Sequence, residues 1–257
     1  MEELKIQELK CALKNHADKE TVIIPLLREI GAKLLTDYEI RVGAITIEPL
    51  RVEPYLFKDG AFEDKFIHKD NGIYGARQRN RCGKFYIHSG YSGVDIVLSD
   101  GDDYAFSFLI KNSRILLNGQ VTYPFVKQIR AASVLKENGI PMDCDEVVLY
   151  RKGKPNNSIV FRTIRNGLAS IVERKDFSKE QQKQYNQLLI ASFIELKEHT
   201  SREFDFSTGF GGNRAVVEYL KDYKKSHPDV TYAELDKRRM ELYPNGTKTL
   251  FVKEFGE

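Results

Sequence analysis

The sequence lacks the patterns that mark disulfide frameworks and zinc sites. Its three cysteines, Cys11, Cys82 and Cys144, are an odd number and lie far apart. This excludes a fully paired disulfide framework and favours a reducing compartment. None of the five histidines belongs to an HxH or HExxH motif, and no CxxC motif is present. We therefore predict no metal site.

Long apolar segments are also missing. No run approaches the roughly 20 apolar residues that span a bilayer. The N-terminal residues 1–16 alternate charged and apolar side chains, where a secretory signal would have an apolar core. The apolar members lie on roughly one side of a helix; they are Leu4, Ile6, Leu9 and Leu13. We expect a protein that is not secreted and has no membrane partner.

Positive charge is unevenly distributed along a chain whose net charge is only +3. Residues 111–176 contain twelve Lys or Arg against six Asp or Glu, and residues 77–84 contain four cations and no acid. Basic stretches interleaved with Tyr and Phe are typical of surfaces that contact phosphates. They are equally typical of an ordinary solvated surface, and composition alone leaves both interpretations open.

The spacing of apolar residues predicts helices beside a mostly antiparallel sheet. Helices are expected within residues 1–31, and Gly31 interrupts the helical periodicity of residues 21–35. The elements expected next are two strands within 33–57, a long polar connection at 58–82 and a β-meander at 84–110.

The second half of the chain continues this pattern. The predicted elements are a helix at 124–135 that begins with Pro124, strands at 146–150 and 158–163, helices at 178–197 and 213–226, and a helix from the capping box Thr231-x-x-Glu234 to 242. The segment 200–212 is expected to be a break. We predict an α+β fold, a curved and mostly antiparallel sheet with flanking helices. We expect residues 1–199 to form the single main domain and residues 200–257 to form a helical C-terminal extension.

One pair of residues is a candidate for catalysis. Glu53 and Tyr55 lie at the end of a predicted strand and, being two residues apart, on the same face. Pro54 between them favours extended backbone at Glu53. A carboxylate beside an aromatic ring can place a general base against a stacked ring. A glutamate at a strand end is more often merely solvated, so the pair alone does not decide a function.

Glu53-Pro54-Tyr55-Leu56 belongs to a series of short segments in a consistent order. The series consists of residues 26–35, Gly43-Ala44-Ile45, Glu53-Pro54-Tyr55-Leu56, Arg79-Asn80-Arg81, residues 83–88, residues 108–111 with Asn118-Gly119, and Arg165-Asn166-Gly167-Leu168. In order and spacing, the series resembles the alkyladenine (3-methyladenine) DNA glycosylase family over much of residues 25–172. The family has Glu-Ala-Tyr-Leu where this chain has residues 53–56.

The resemblance implies an enzyme that flips a damaged or modified base out of double-stranded DNA and hydrolyses its N-glycosidic bond. The family's water-activating Glu matches Glu53. The implied base-binding residues are Tyr55 and His88 at the two stacking positions, Asp95 and Lys111 where the family has Asn and Arg, and His68 for a loop His. A gapless alignment places the family's loop His near Asp64, so His68 reaches that position only with an insertion.

The DNA surface is expected to include the basic run and a wedge residue at a hairpin tip. The expected DNA-binding residues are Arg77, Arg79, Arg81, Arg165 and the wedge Tyr91. The implied reaction needs neither metal nor cofactor. We expect a monomer that acts on the nucleoid in the cytoplasm, or in the nucleus. The base removed stays open between alkylated, deaminated and bulky modified bases, and Lys111 is the candidate for a Schiff-base lyase step.

Two other interpretations compete with a glycosylase. Asp95 followed by Phe108-Leu109-Ile110-Lys111 resembles the Asp and Glu-x-Lys core of metal-dependent endonucleases, although Leu109 stands where that core needs its second carboxylate. The alternative function on the same fold is a catalytically inactive nucleic-acid-binding module, because related folds host different functions.

Overall fold

The described residues form a ten-stranded curled antiparallel sheet with helices packed against it, which confirms the predicted α+β class. The computed structural model describes residues 4–64, 79, 81–88, 93–141, 144, 146–155, 160–163, 205–208, 213–242 and 248–256. The elements are α1 Ile6–Lys14, α2 Ile24–Thr36, β1 Tyr38–Val42, β2 Ile45–Lys58, β3 Phe62–Glu63, β4 Phe85–Ile87, β5 Val94–Val97, β6 Ala105–Leu117, β7 Gln120–Lys127, α3 Gln128–Glu137, β8 Val148–Arg151, β9 Val160–Thr163, β10 Asp205–Thr208, α4 Asn213–Ser226, α5 Tyr232–Leu242 and α6 Thr249–Phe255.

The two longest strands, β2 and β6, form the centre of the sheet. The main order is β4-β5-β6-β2-β1-β8, and β4, β5 and β6 form the predicted meander. On its other side β2 pairs in turn with β1, β10 and β3. Strand β7 pairs with the end of β6 that β5 does not reach. A β-bulge interrupts the β2–β6 ladder near Arg51, and it bears directly on the site described below.

The main hydrophobic core lies on one face of this sheet, beneath α1 and α2. Alternate residues of the central strands point into it, because successive side chains of a strand project to opposite faces. They are Val52, Leu56, Phe85, Ile87, Val94, Ile96, Phe106, Phe108 and Ile110. The intervening residues project from the opposite face, which carries Glu53. We call this opposite face the Glu53 face.

The N-terminal helices are confirmed, but the predicted break at Gly31 is wrong. After α1, residues 19–23 form a π-helical turn capped by Asp18, whose Oδ1 accepts a 2.8 Å hydrogen bond from the Thr21 N–H. Helix α2 then continues through Gly31, which is buried, as far as Thr36. Tertiary packing of its apolar side overrides the weak helix propensity of one glycine. Residues 33–36 therefore belong to a helix and not to the predicted strand.

Proline 124 lies in a strand, so the prediction that it begins a helix is also wrong. It is part of β7, and α3 begins only at Gln128. The β6–β7 register shifts between Ser113 and Ile115, opposite Pro124. A residue without an N–H is tolerated at such an irregularity in a strand at the sheet edge. Two short strands, β3 and β10, also fall in segments predicted to be a connection and a break.

Helices α4 and α5 have the predicted positions near the C-terminus. The capping box at the start of α5 forms: the Thr231 N–H donates to Glu234 Oε2 at 2.8 Å, and the Glu234 N–H donates to Thr231 Oγ1 at 3.3 Å. The three C-terminal helices enclose a second, smaller core whose buried members are Phe161, Val216, Val217, Leu220, Leu235 and Phe251. Strand β10 connects the same region to the sheet through β2 and β9, and the domain division at residue 200 stays a prediction.

No helix in the described part of the chain has the length and apolar character needed to cross a membrane.

Candidate active site

Glu53 and Tyr55 lie side by side on β2, as the alternation of the strand predicts. The Tyr55 hydroxyl donates a 2.6 Å hydrogen bond to Glu53 Oε1. Glu53 is among the few charged residues that the fold buries, with 1% of its surface exposed. A short hydrogen bond to a charged acceptor is stronger than one between neutral groups. Tyr55 therefore holds the carboxylate in one orientation.

Lys111 approaches Glu53 because of the bulge in β6. Val52 pairs with Ile110 and Arg51 pairs with Asn112, so Lys111 is the extra residue opposite Arg51. A bulge of this kind redirects a side chain. The Lys111 Nζ lies 3.3 Å from Glu53 Oε2, and the two side chains are 18% and 2% exposed. The buried carboxylate thus has a phenol on one oxygen and an ammonium group near the other.

A second buried carboxylate, Asp95, lies on the neighbouring strand β5. Its Oδ1 is 2.8 Å from His88 Nε2, and its Oδ2 accepts a 2.8 Å hydrogen bond from the Ser107 hydroxyl. Burial by itself lowers the pKa of His88. The charge of Asp95 and the hydrogen bond to it outweigh burial and hold the pKa of His88 above its ordinary value. The ring of Tyr86 packs against His88 at a centroid distance of 4.5 Å.

The two carboxylates occupy the same row of the sheet. Glu53 pairs with Leu109, Leu109 pairs with Asp95, and Asp95 pairs with Tyr86. One strand, β6, lies between them, so two inter-strand spacings of about 4.8 Å place Glu53 and Asp95 roughly 10 Å apart. Each carboxylate has its own basic partner. The Glu53 face therefore holds two separate acid–base pairs, with an aromatic ring beside each.

Known proteins do not identify this arrangement: the chain matches no family model and no curated protein. The geometry of the Glu53 face is therefore the basis for any functional assignment, and the glycosylase resemblance stays an expectation.

The structure brings five of the predicted site residues together and separates two others from them. Glu53, Tyr55, His88, Asp95 and Lys111 share the Glu53 face. Arg79 and Arg81 are instead bound to the segment that joins β5 to β6, at the opposite end of β5 from His88. Arg79 Nη1 donates to the Asp102 carbonyl at 2.9 Å, and the Arg81 N–H donates to the Ser99 carbonyl at 3.0 Å.

Four predicted site residues lie outside the described residues, namely His68, Arg77, Tyr91 and Arg165. Tyr91 belongs to the six-residue connection, residues 88–93, between β4 and β5. The ends of that connection are joined by a 2.8 Å hydrogen bond from the His88 N–H to the Gly93 carbonyl. Asp64, where a gapless alignment places the family's loop His, is fully buried just after β3.

The geometry also tests the endonuclease interpretation. Asp95 and Leu109 do pair on adjacent strands, as that core requires, but Leu109 supplies no metal ligand. Lys111 pairs with Glu53, a residue from a different strand. Within the described ranges, no group of three or more His, Cys, Asp or Glu side chains could hold a metal ion. The side chain at position 109 is the specific argument against this interpretation.

Sequence reasoning missed Ser107 and Tyr86. Ser107 is fully buried and fixes the second oxygen of Asp95. It is a small polar residue in the otherwise apolar run of residues 105–110. A hydroxyl buried in such a strand requires a hydrogen-bond partner, and this was the available signal. Tyr86 lies on β4, two residues before His88, which directly follows that strand, so both side chains project to the same face.

Proposed function

We propose that the protein is a monofunctional DNA glycosylase that flips a damaged or modified base out of double-stranded DNA and hydrolyses its N-glycosidic bond. The observation that carries this proposal is the buried Glu53 carboxylate, bound by the Tyr55 hydroxyl and paired with Lys111 on a face that also carries His88. A fixed anion beside an aromatic ring, with a second ring on the same face, is what this hydrolysis requires.

The reaction follows from the charges in its transition state. As the bond from C1′ to the base nitrogen lengthens, the sugar acquires oxocarbenium character. Glu53 orients the attacking water, accepts its proton and stabilises the positive charge on the sugar. The Tyr55 hydroxyl contributes by holding Glu53 still, since a preorganised group needs no rearrangement during the reaction. The product is an abasic site.

DNA binding in this proposal depends on positive charge away from the Glu53 face. The basic run at 77–84 contacts phosphates, and Tyr91 inserts from the short β4–β5 connection into the gap left by the flipped base. Sequence-independent phosphate contacts suit an enzyme that searches DNA for rare bases. We place the protein as a monomer in the compartment that holds the DNA, either the cytoplasm with its nucleoid or the nucleus.

The first test replaces Glu53, the proposed general base. Duplexes that each carry one alkylated, deaminated or bulky modified base are incubated with the protein, and alkali then cleaves any abasic site. We expect Glu53→Gln to lower the single-turnover rate at least 100-fold while duplex affinity stays unchanged, because a positioned general base contributes about that factor or more. The matched control is Glu48→Gln on the same strand, where Glu48 pairs with Arg114. Retention of more than about a tenth of the wild-type rate would exclude Glu53 as the base.

One observation favours a second candidate, a nucleic-acid-binding module without catalysis. Both oxygens of Glu53 already have protein groups near them, the Tyr55 hydroxyl and the Lys111 ammonium, as in a purely structural ion pair. Duplex binding by the wild-type protein, without release of any of the bases tested, would support this second function over the first.

A further inference from the structure

A segment without acidic residues lies beside the Glu53 face. Residues 111–136 contain five lysines or arginines and no Asp or Glu, and they form the second half of β6, all of β7 and most of α3. Two of the five cations pair with carboxylates of β2, Lys111 with Glu53 and Arg114 with Glu48. The other three are exposed and have no ion-pair partner among the described residues; they are Lys127, Arg130 and Lys136.

The start of α3 lies at the rim of the Glu53 face. Gln128, the first residue of this helix, follows Lys127 at the end of β7. A Cβ on Gly93 would stand 3.2 Å from Gln128 Nε2 and 3.1 Å from Leu109 Cδ1. Leu109 in turn pairs with Glu53 across the β2–β6 ladder. The first turn of α3 therefore begins about two strand spacings, roughly 10 Å, from Glu53.

Large apolar side chains are exposed among these cations. Ile129 is 68% exposed, more than any other large apolar residue in the described part of the chain, and Phe125 is 42% exposed. Phe125 and Lys127 flank the buried Val126, so the alternation along β7 turns both toward the Glu53 face. Ile129 and Arg130 follow in the first turn of α3. We call residues 125–130, in which apolar and cationic side chains are interleaved, the β7–α3 surface.

We propose that the β7–α3 surface docks the DNA strand next to the flipped base, with Lys127 and Arg130 on phosphates and Ile129 against the sugars between them. This inference rests on the proposed glycosylase function and adds a second contact surface to the basic run at 77–84. A DNA strand alternates charged phosphates with the apolar edges of its deoxyriboses, which matches the interleaved side chains. Contacts to phosphate and sugar position a duplex without selecting its sequence.

The basic run and the β7–α3 surface lie at opposite ends of β5. Arg79 and Arg81 are bound to the segment that follows this strand. The β7–α3 surface instead lies beside Gly93, which directly precedes the strand. The first half of β5 shares its row of the sheet with Glu53. The β7–α3 surface should therefore contact the phosphates nearest to a base held at Glu53, and the basic run should contact phosphates farther along the duplex.

The position beside Glu53 selects DNA among the anionic partners that such a surface could bind. Exposed cations around apolar side chains also suit a membrane of anionic phospholipid. A membrane bound at the β7–α3 surface would cover the Glu53 face, whereas a duplex bound there brings a base to it. A duplex is therefore the partner that uses both the charge of this surface and its place in the fold.

The salt dependence of binding tests the two cations. The probe is a short duplex with one tetrahydrofuran residue, a stable analogue of the abasic product. Lys127→Gln/Arg130→Gln should reduce the salt slope by about 1.8 log units per log unit of salt, because each phosphate contact contributes about 0.9. The matched control is Lys14→Gln/Lys237→Gln, which removes two exposed cations from α1 and α5. Thermal unfolding verifies that each variant is folded, and an unchanged slope in folded Lys127→Gln/Arg130→Gln would overturn the inference.

Neutral phosphate analogues locate the contacts along the DNA. Methylphosphonates on either side of the tetrahydrofuran residue remove the charges that Lys127 and Arg130 are expected to contact. They should weaken binding of the wild-type protein at least about tenfold. Binding of Lys127→Gln/Arg130→Gln should weaken less than about threefold, because groups in contact are not additive. Equal weakening of both proteins would place these cations elsewhere on the duplex and overturn the inference.

The apolar part of the surface has a separate test. Ile129→Ala should lower duplex affinity about tenfold and leave the salt slope unchanged, because an apolar contact releases no counterions. The matched control is Val148→Ala, since Val148 is 55% exposed on β8 at the far edge of the sheet. Equal duplex affinity of Ile129→Ala and the wild-type protein would overturn the contact between Ile129 and the sugars.

The outcomes distinguish this inference from the proposed function. Base release by the wild-type protein, with an unchanged salt slope in Lys127→Gln/Arg130→Gln, would overturn the inference and leave the glycosylase function standing. A reduced slope in that variant, without release of any base by the wild-type protein, would support the docking surface and overturn the glycosylase. If the variant instead loses binding to phosphatidylserine vesicles and keeps its duplex binding, the surface serves a membrane and the inference is wrong.

Discussion

The ion pair between Lys111 and Glu53 should make the loss of one charge far more costly than the loss of both. The two groups are 3.3 Å apart, and Glu53 is almost fully buried. Lys111→Met leaves the Glu53 carboxylate in place without the ammonium group 3.3 Å from its Oε2. Removal of one partner of a buried pair costs about 3–5 kcal/mol. Because Lys111 retains some solvent contact, we expect about 3 kcal/mol, or a melting temperature lower by about 6–12 °C in a chain of this size.

The double variant Lys111→Met/Glu53→Gln removes both charges and keeps an oxygen that can accept the Tyr55 hydrogen bond. We therefore expect it to regain at least about 1.5 kcal/mol of the loss caused by Lys111→Met alone, since an uncompensated buried charge is the costly state. Urea unfolding of the wild-type protein, the two single variants and the double variant gives the coupling free energy between the two side chains.

The control is a second ion pair across the same two strands. Arg114 Nη1 lies 3.0 Å from Glu48 Oε2, but these side chains are 36% and 23% exposed. Arg114→Met should cost less than about 1 kcal/mol, the usual value of an exposed pair. If Lys111→Met costs no more than Arg114→Met, or if the two single losses simply add in the double variant, the argument from burial is refuted.

Three further predictions concern Tyr55, Asp100 and Tyr91. Tyr55→Phe removes the hydrogen bond to Glu53 and should slow base release about 10- to 100-fold, because a hydrogen bond to a charged group contributes about 1.5–3 kcal/mol; an unchanged rate would show that Glu53 does not need Tyr55. Burial by itself raises the pKa of Asp100. Side-chain hydrogen bonds from Tyr104, Lys10 and Gln7 outweigh burial and hold this pKa below its ordinary value. A carboxyl group whose pKa is lowered in the folded state stabilises the protein above the pKa of the unfolded chain, and this stabilisation is lost as pH falls. Asp100→Asn should therefore cost about 2 kcal/mol at pH 7 and clearly less in acid. Urea unfolding over a pH series measures this difference, and equal losses at every pH would contradict it. Tyr91→Ala should slow release most from a stably paired target and least from a mismatched one, since a mismatched base is easier to extrude; equal slowing of both would rule out the wedge.

Local patterns in the sequence were sufficient for several of the elements and for the first contact of the site. The alternation of side chains along a strand predicted that Glu53 and Tyr55 share a face, and the 2.6 Å hydrogen bond between them agrees. Turn signals predicted the meander of β4, β5 and β6, and a capping box predicted the start of α5. Each of these predictions depends on residues that are close together in the chain, where geometry follows directly from spacing.

Contacts between distant segments could not be predicted in this way. The approach of Lys111 to Glu53 depends on a bulge that adds one residue to β6, and nothing in the local sequence of either strand specifies that register. The pairing of β10 with β2 joins residues more than 150 positions apart. A shift of one residue in pairing turns every side chain to the other face, so long-range register had to come from the structure.

One general signal in the sequence would have predicted more of the site residues. A strand that is apolar at nearly every position is buried on both faces, and residues 105–110 are buried throughout. A polar residue in such a strand loses its hydration and must find a buried partner. Applied to β5 and β6, this reasoning selects Asp95 and Ser107 as a pair that must interact, and the 2.8 Å hydrogen bond between them meets the requirement. The same reasoning accounts for His88 and Lys111 at the more exposed positions of the Glu53 face, because a buried carboxylate is stabilised where a basic group lies beside it.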